Sequence, residues 1–198
     1  IYSILSAFKA IGYECNVSDK KKDIIKSSVL VLPGVGSFKQ AIKALEEKNL
    51  KDTIVKNVQK GKNIIGICLG YQMLFETSSE FGNNKGLGLI KGNVLSLKVF
   101  HEGSDRVPNV GWRSLIINHK NGNLNKYYNN KMVYFVHSYV PKALVNYQVS
   151  SFIKFNNYKI DTSIHHNNIA GFQFHPEKSG KIGLKLIEST LKYFNYKI

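Results

Sequence analysis

Two continuous apolar runs with a helical stretch between them constrain the fold of this chain most. The runs are VLVL at residues 29–32 and IIGI at residues 64–67, and neither alternates apolar with polar residues. The intervening stretch, from about Phe38 to Lys60, carries a helical pattern that we expect to be interrupted near Asn49. Unbroken apolar strands are typical of parallel sheets, whose neighbouring strands are joined by helical crossovers. The pattern predicts an α/β fold with a doubly wound, mostly parallel sheet flanked by helices.

The second half of the chain has a different pattern. An amphipathic first helix ending at Gly12, a short strand YECNV and a helix over LGYQMLFETSS are predicted before it. Strand-like segments then alternate with turn residues, and a last amphipathic helix follows. These segments are GNVLSLKVF, WRSLIIN, KMVYFVHSYV, YQVSSFIKF and IAGFQFHP. They predict an additional antiparallel β region within a single domain that covers residues 1–198.

The composition excludes several classes of function. The formal net charge is +15, but 26 of the 28 basic residues are lysine, and the two arginines are Arg106 and Arg113. Sequence-specific nucleic-acid binding relies on the planar fork of arginine, so a lysine-rich solvated surface is favoured and no specific nucleic-acid partner is predicted. No apolar run approaches the roughly 18 residues of a membrane span. Cys15 and Cys68 lack metal-ligand spacing, which predicts no metal and a reducing, cytoplasmic setting.

The heptapeptide GICLGYQ, residues 66–72, places Cys68 between a buried strand and a helix. Glycines at such a junction permit a strained turn, and a helix N-terminus favours the thiolate. The backbone N–H of Leu69 would point to the site where a tetrahedral oxyanion forms. Structural cysteines are more common than catalytic ones, so Cys68 alone remains either a buried apolar residue or a nucleophile.

A base and its orienting carboxylate stand near the end of the chain. In GFQFHPEKS, His175 and Glu177 are two residues apart, and Pro176 favours an extended conformation for the histidine. Period-two alternation then puts both side chains on one side. One could accept the proton of Cys68 while the other fixes the ring, as a cysteine nucleophile requires.

With these motifs the sequence resembles the class I, triad-type glutamine amidotransferases. LPGVGSF, GICLGYQ and GFQFHPEKS occur in the order expected for that family. The resemblance implies that Cys68 attacks the side-chain amide of L-glutamine, with His175 as base and then acid and Glu177 orienting it. It also implies an oxyanion hole from Gly34, Val35 or Gly36 together with Leu69, and no cofactor.

The resemblance assigns further roles. Gln72 and Glu80 match positions that bind the glutamine head group, and Ser138 with Tyr139 matches a backbone clamp on the substrate. GLGLIKGNV, VPNVGW and YFVHSY are similar to segments of glutaminase subunits that form a heterodimer with a (β/α)8-barrel cyclase subunit in histidine biosynthesis. Interface positions on this reading are Trp112, Arg113, Tyr134 and Lys178, with Arg113 expected to pair with a partner carboxylate and Trp112 either an anchor or a core residue.

Two alternatives remain open at the level of sequence. A related glutaminase could supply a sugar amidotransferase of surface-polysaccharide synthesis, or the chain could be an inactive scaffold of the same fold. Asn109 and Arg113 depart from the family pattern Pro-His-x-Gly-Trp-Asn, which bears on the partner and not on the glutaminase chemistry. Family members also begin with a strand before the first helix, so we expect residues 1–198 to lack that first strand, which would sit inside the parallel sheet.

Overall fold

Helices and strands alternate through the first part of the fold, as the apolar runs predict. The computed structural model describes residues 1–100, 102–118, 124–144 and 149–196. Its α-helices are α1 Tyr2–Ala10, α2 Lys21–Lys26, α3 Phe38–Glu47, α4 Lys51–Gln59, α5 Leu69–Met73 and α6 Gly180–Tyr193. Its strands are β1 Val29–Leu32, β2 Asn63–Ile67, β3 Phe75–Ser78, β4 Asn84–Lys85, β5 Ile90–Ser96, β6 Asn109–Ser114, β7 Ile116–Ile117, β8 Met132–His137, β9 Tyr139–Ala143, β10 Val149–Phe155, β11 Tyr158–His166 and β12 Ile169–Phe172.

The main sheet combines parallel and antiparallel strands. Among the described residues its order is β1-β2-β12-β11-β10-β7, with β2 parallel to both β1 and β12 and the remaining neighbours antiparallel. A second sheet has the order β4-β3-β5-β9, and β6 pairs with β8 in an antiparallel two-stranded sheet. The α/β class and the antiparallel region are therefore confirmed, whereas the main sheet is mixed rather than mostly parallel, because among its described strands only the β1–β2 and β2–β12 pairs are parallel.

Strand β2 is buried on both faces because helices cover both sides of the main sheet. Ile65 and Ile67 belong to a core shared with α1 and α6, whereas Ile64 faces a second core with α3 and α4. This two-sided burial explains why the strand carries an unbroken apolar run. It also delivers the residue after Ile67 to the carboxyl edge of the sheet, where ligands bind in open α/β folds.

Some local predictions need correction. The helix predicted over LGYQMLFETSS ends at Met73, and Phe75–Ser78 forms β3. Phe75 and Ser78 are buried and pair with β5, so tertiary packing overrides the helical pattern. The strand predicted over YECNV is absent from the described residues, and the short helix α2 was not predicted. The predicted interruption near Asn49 is confirmed, since Asn49 has φ 54° between α3 and α4.

A groove follows the outer edge of β1. Its volume is about 760 Å³, and β1 lies on one side of it and residues 13–18 on another. Apolar side chains of α1 and α4 line the remainder. Because β1 is the terminal strand of its sheet in the described structure, its outer backbone groups face this groove without a strand partner.

Candidate active site

Cys68 occupies a sharp turn between β2 and α5. Its backbone has φ 54° and ψ −112°, a left-handed conformation that costs a non-glycine residue about 1–3 kcal/mol. The N–H of Cys68 donates to the carbonyl of Phe172 at 2.7 Å, which ties the turn to β12. The side chain is only 9% exposed, so this is a recessed thiol rather than a surface one. A strained elbow that presents a side chain at the end of a strand is typical of a nucleophile.

His175 and Glu177, predicted from the sequence as base and orienter, form a hydrogen-bonded pair. The Nδ1 atom of His175 lies 2.7 Å from Oε1 of Glu177, and both side chains are buried. Since Nδ1 is engaged by the carboxylate, Nε2 is the ring atom left for Cys68, which is among the groups that raise the pKa of His175. The structure thus brings Cys68 together with His175 and Glu177, although Cys68 and Glu177 are 109 positions apart in the chain.

The loop that carries His175 is fixed by backbone and hydroxyl contacts. The N–H of His175 donates to the carbonyl of Tyr134 at 2.9 Å. Ser179, which is buried, donates its hydroxyl to the carbonyl of His175 at 2.7 Å and accepts from the N–H of Tyr134 at 3.0 Å. The imidazole is therefore held against β8 by two residues that the sequence did not single out for that purpose.

The segment Pro33–Gly36 lies beside the nucleophile, as an oxyanion strand would. A Cβ atom placed on Gly34 would approach the Cβ of Leu69 to 2.9 Å, and one on Gly70 would approach the carbonyl oxygen of Leu32 to 1.8 Å. These close approaches bring the end of β1 onto the start of α5. The predicted oxyanion residues Gly34 and Leu69 are therefore neighbours, whereas the side chain of Val35 is exposed.

The surroundings of His175 favour its protonated form. Burial disfavours the imidazolium, but hydrogen bonds and charge interactions with Cys68 and Glu177 outweigh burial and raise its pKa to about 9. The second carboxylate oxygen of Glu177 is buried and has no hydrogen-bond partner among the described residues. No group of three or more histidine, cysteine, aspartate or glutamate side chains in the described part of the chain could hold a metal ion.

Comparison with known proteins agrees with this geometry. The family model described as glutamine amidotransferase class-I matches residues 1–191. The chain belongs to the class I glutamine amidotransferase family. Imidazole glycerol phosphate synthase subunit HisH of Aquifex aeolicus (strain VF5) is 41% identical to this amidotransferase over 188 residues, which is 94% of this chain and 88% of that protein. The protein of the same name from Lactococcus lactis subsp. lactis (strain IL1403) is 36% identical over 192 residues, 97% of this chain and 93% of that protein.

Solved structures support the same fold. A crystal structure of a glutamine amidotransferase superposes with a TM-score of 0.75 at 18% identity, covering 98% of this chain and 93% of that one. The structure of PurLQS from Thermotoga maritima superposes with a TM-score of 0.70 at 20% identity, covering 97% and 92%. The amidotransferase has no described helix that is both long and apolar enough to cross a membrane.

Each residue predicted to bind glutamine has a hydrogen-bond partner in the structure. The amide nitrogen of Gln72 donates to the carbonyl of Tyr139 at 2.8 Å and to Oε1 of Gln173 at 3.0 Å. Glu80 accepts from the N–H of Phe38 at 2.6 Å and so holds the start of α3, directly after the oxyanion segment. Ser138 lies between β8 and β9, and its carbonyl accepts from the N–H of Leu97 at 2.8 Å.

Two of the predicted interface residues, Trp112 and Tyr134, lie on the outer face of the β6–β8 sheet. Trp112 is 51% exposed, so it is not a core residue, and it packs edge-to-face on Tyr134 with ring centroids 5.9 Å apart. Lys178 is exposed beside His175. Arg113 differs, because its guanidinium is already paired within the chain, with Asp105 at 2.8 Å and Asn109 at 3.0 Å. The guanidinium therefore already has a carboxylate partner within the chain, and its pairing with a carboxylate of the partner subunit stays a prediction.

Sequence reasoning missed Gln173 and did not identify the hydrogen-bond partners of His137, a residue that could be read from the sequence as a core histidine. Gln173 is fully buried, and its amide lies 3.9 Å from the sulfur of Cys68. It precedes His175 by two residues, so the same alternation that paired His175 with Glu177 could have placed it in the site. His137 is buried next to the triad, where it bonds to Asn109 and to the carbonyl of Tyr139.

Proposed function

We propose that this amidotransferase is the glutaminase subunit of imidazole glycerol phosphate synthase, which acts in histidine biosynthesis. The observation that carries the proposal is the strained elbow of Cys68 beside the His175–Glu177 pair. The relatives at 36–41% identity with that printed name supply the pathway. A cytoplasmic location fits two free cysteines and a biosynthetic role.

The reaction follows from the positions of these groups. The proton of Cys68 is held on His175, whose raised pKa favours the imidazolium, and the thiolate attacks the side-chain carbonyl carbon of glutamine. The resulting oxyanion is stabilised by backbone N–H groups of Leu69 and the Gly34–Gly36 segment. His175 then protonates the departing nitrogen, which leaves as ammonia. The carbonyl carbon of the substrate stays bonded to Cys68 as a thioester. Water, deprotonated by His175, attacks the thioester and releases glutamate.

Substrate orientation is assigned to the surrounding polar groups. Gln72 gives both amide hydrogens to protein acceptors, so its carbonyl oxygen is the part that can accept from the α-ammonium group of glutamine. The backbone at Ser138 and Tyr139 clamps the substrate, and Glu80 completes the head-group site while it holds α3. No part of this assignment requires a cofactor.

The partner is a (β/α)8-barrel cyclase subunit that receives the ammonia in a heterodimer. The outer face of the β6–β8 sheet carries exposed apolar residues, which is typical of a docking surface. These residues are Val110, Trp112, Met132 and Val136. The carbonyl of Val136 lies 3.9 Å from the sulfur of Cys68, so the exposed face is one residue away from the site where ammonia forms. Tyr134 and Lys178 border the same surface.

The test is to mix the full chain with the cyclase subunit and its ligand and to measure glutamate release from glutamine together with imidazole glycerol phosphate formation. We expect both products to appear in equal amounts. Glutamate without imidazole glycerol phosphate would contradict the assigned acceptor, whereas neither product would contradict the glutaminase itself.

The matched variants are Cys68→Ser and Cys15→Ser, which change the two cysteines of the chain. The first should lose glutaminase activity, because the serine hydroxyl is a far weaker nucleophile than the thiolate in this setting. The second should retain activity, since Cys15 lines the groove at β1 and not the triad. Full glutamate release by Cys68→Ser would end the nucleophile assignment.

A further inference from the structure

A polar chain connects the outer strand β6 with the glutamine site. Asp105 pairs with Nη2 of Arg113 at 2.8 Å, and Nε of Arg113 donates to Oδ1 of Asn109 at 3.0 Å. The amide nitrogen of Asn109 lies 2.9 Å from Nε2 of His137, and Nδ1 of His137 lies 2.9 Å from the carbonyl of Tyr139. That carbonyl is the one to which Gln72 donates.

The roles of donor and acceptor along this chain are fixed by chemistry. A carbonyl only accepts, so the proton of His137 sits on Nδ1 and points to Tyr139. A guanidinium only donates, so Asn109 turns its oxygen to Arg113 and its NH2 group to Nε2 of His137. A second proton on Nε2 would then face the NH2 group of Asn109, donor against donor. Turning the amide over would place that NH2 group against Arg113 instead.

His137 is therefore held in the neutral state. Burial, together with the charges of His175 and Arg113, lowers its pKa to about 4, although its hydrogen bond to Tyr139 acts in the opposite direction. The titratable and charged groups that act on it are His175, in the loop after β12, and Arg113, on β6. A charged His137 would place a second cation beside the His175 imidazolium.

The far end of the chain is also anchored. One oxygen of Asp105 binds Arg113, and the other accepts from the N–H of Asn156 at 2.6 Å. These hydrogen bonds outweigh the burial of Asp105 and lower its pKa. Asn109 is fully buried, and Arg113 is half-buried, so the guanidinium is part of the interior network and not a solvated side chain.

We propose that Asn109 and Arg113 are positioning residues of the glutaminase site: they hold His137 in one neutral tautomer and thereby fix the Tyr139 carbonyl that orients Gln72. The proposal rests on the proposed glutaminase function for its kinetic consequence, but the hydrogen-bond network exists independently of it.

The first test is the titration of the His137 ring by NMR in the full chain, with the resonance assigned by its loss in His137→Gln. We expect a midpoint near 4 in the wild type. Asn109→Asp replaces a donor with an acceptor and should raise the midpoint by more than about one pH unit. Arg113→Met should raise it as well, since it removes a nearby positive charge and frees the amide to turn. Arg106→Met is the matched control and should leave the midpoint unchanged.

The second test is kinetic. We expect Asn109→Asp and Arg113→Met to raise KM for glutamine by about fivefold to tenfold, the effect of one weakened hydrogen bond, with a smaller change in kcat. Arg113→Lys should rescue only part of the loss, because an ammonium group lacks the fork that reaches Asp105 and Asn109 together. An unchanged His137 midpoint in both variants would overturn the network even if KM changed. An absent glutaminase activity with the expected NMR shifts would overturn only the proposed function.

Discussion

At the scale of single residues, the proposed chemistry depends on where His175 keeps its proton. In the proposed mechanism the imidazolium is the acid that protonates the departing nitrogen, and the neutral ring is the base that activates water. Glu177 and Cys68 raise the pKa of His175 to about 9. His175 is therefore a cation below that pH and neutral above it.

This pKa predicts the alkaline limit of glutaminase activity. We expect kcat/KM to fall as the pH rises through about 9, because the acid of the free enzyme is then lost. Glu177→Gln removes one of the groups that raise the pKa, so the alkaline limit should move to lower pH and kcat/KM should fall, though less than in His175→Ala. The measurement is kcat/KM for glutamate release between pH 6 and 10. Glu188→Gln, which changes an exposed carboxylate of α6, is the control. Identical alkaline limits in the wild type, Glu177→Gln and Glu188→Gln would contradict this account.

The sequence predicted the triad because its residue types stand in short, recognisable motifs. Asn109, His137 and Ser179 could not be identified in the same way. Each acts through a contact with a residue on another strand or loop, such as Ser179 with the N–H of Tyr134. Such contacts depend on the pairing of β6 with β8 and on the position of β12, which no local pattern specifies.

At the scale of elements, β11 carries a buried carboxylate whose environment disfavours its charge. Asp161 accepts from the N–H of Ala143 on β9 at 3.1 Å, but burial raises its pKa to about 6 from an ordinary value of 3.8. The folded state therefore holds the proton more tightly than the unfolded state, and stability contributed by that proton is lost as the pH rises from about 4 to about 6.

Asp161→Asn should stabilise the fold at neutral pH. The amide oxygen can still accept from Ala143, and its NH2 group supplies a donor near the buried hydroxyl of Tyr71, which has no partner among the described residues. We expect the gain in free energy of unfolding over wild type to grow between pH 4 and 6 and to stay constant above that. Urea unfolding at pH 4 and pH 7 measures it, with exposed Glu14→Gln as control. An equal gain at both pH values would contradict the burial argument.

The groove at β1 supports the proposal that an additional strand can pair with the outer edge of β1. We predict that an extended apolar segment fused before Ile1 pairs with β1 and fills the groove, because backbone groups there lack a strand partner in the described structure. Each kcal/mol gained should raise Tm by about 2–4 °C in a protein of this size. A fusion of equal length made of glycine and serine is the control. Equal Tm values for the two fusions would count against the added strand.

The elements that the sequence predicted well are those whose own residue pattern matches their burial, such as β2, which is apolar and buried on both faces, and the pair α3 and α4. β3 was wrongly predicted as helix because Phe75 and Ser78 take their burial from pairing with β5, fifteen residues downstream. The short helix α2, which was not predicted, has too few residues for a periodic signal.

At the scale of the whole molecule, one side of the β6–β8 sheet forms the triad's surroundings and the other side presents exposed apolar residues. We predict that Trp112→Ala weakens the affinity for the cyclase subunit by roughly 30-fold or more, the effect of losing an interface hot spot of about 2 kcal/mol. Titration calorimetry with the cyclase subunit measures this. Ile25→Ala on α2, which is similarly exposed, is the control. Equal affinities for the two variants would place the docking surface elsewhere.

The left-handed backbone at Cys68 places two requirements on this position that no single residue meets fully: a conformation that suits glycine, and a thiol side chain. Glycine would adopt φ 54° without the steric cost that any other residue carries there. The proposed nucleophile is thus less suited to this backbone conformation than glycine, which has no sulfur. Cys68→Gly should therefore relieve the backbone strain and at the same time remove the proposed nucleophile.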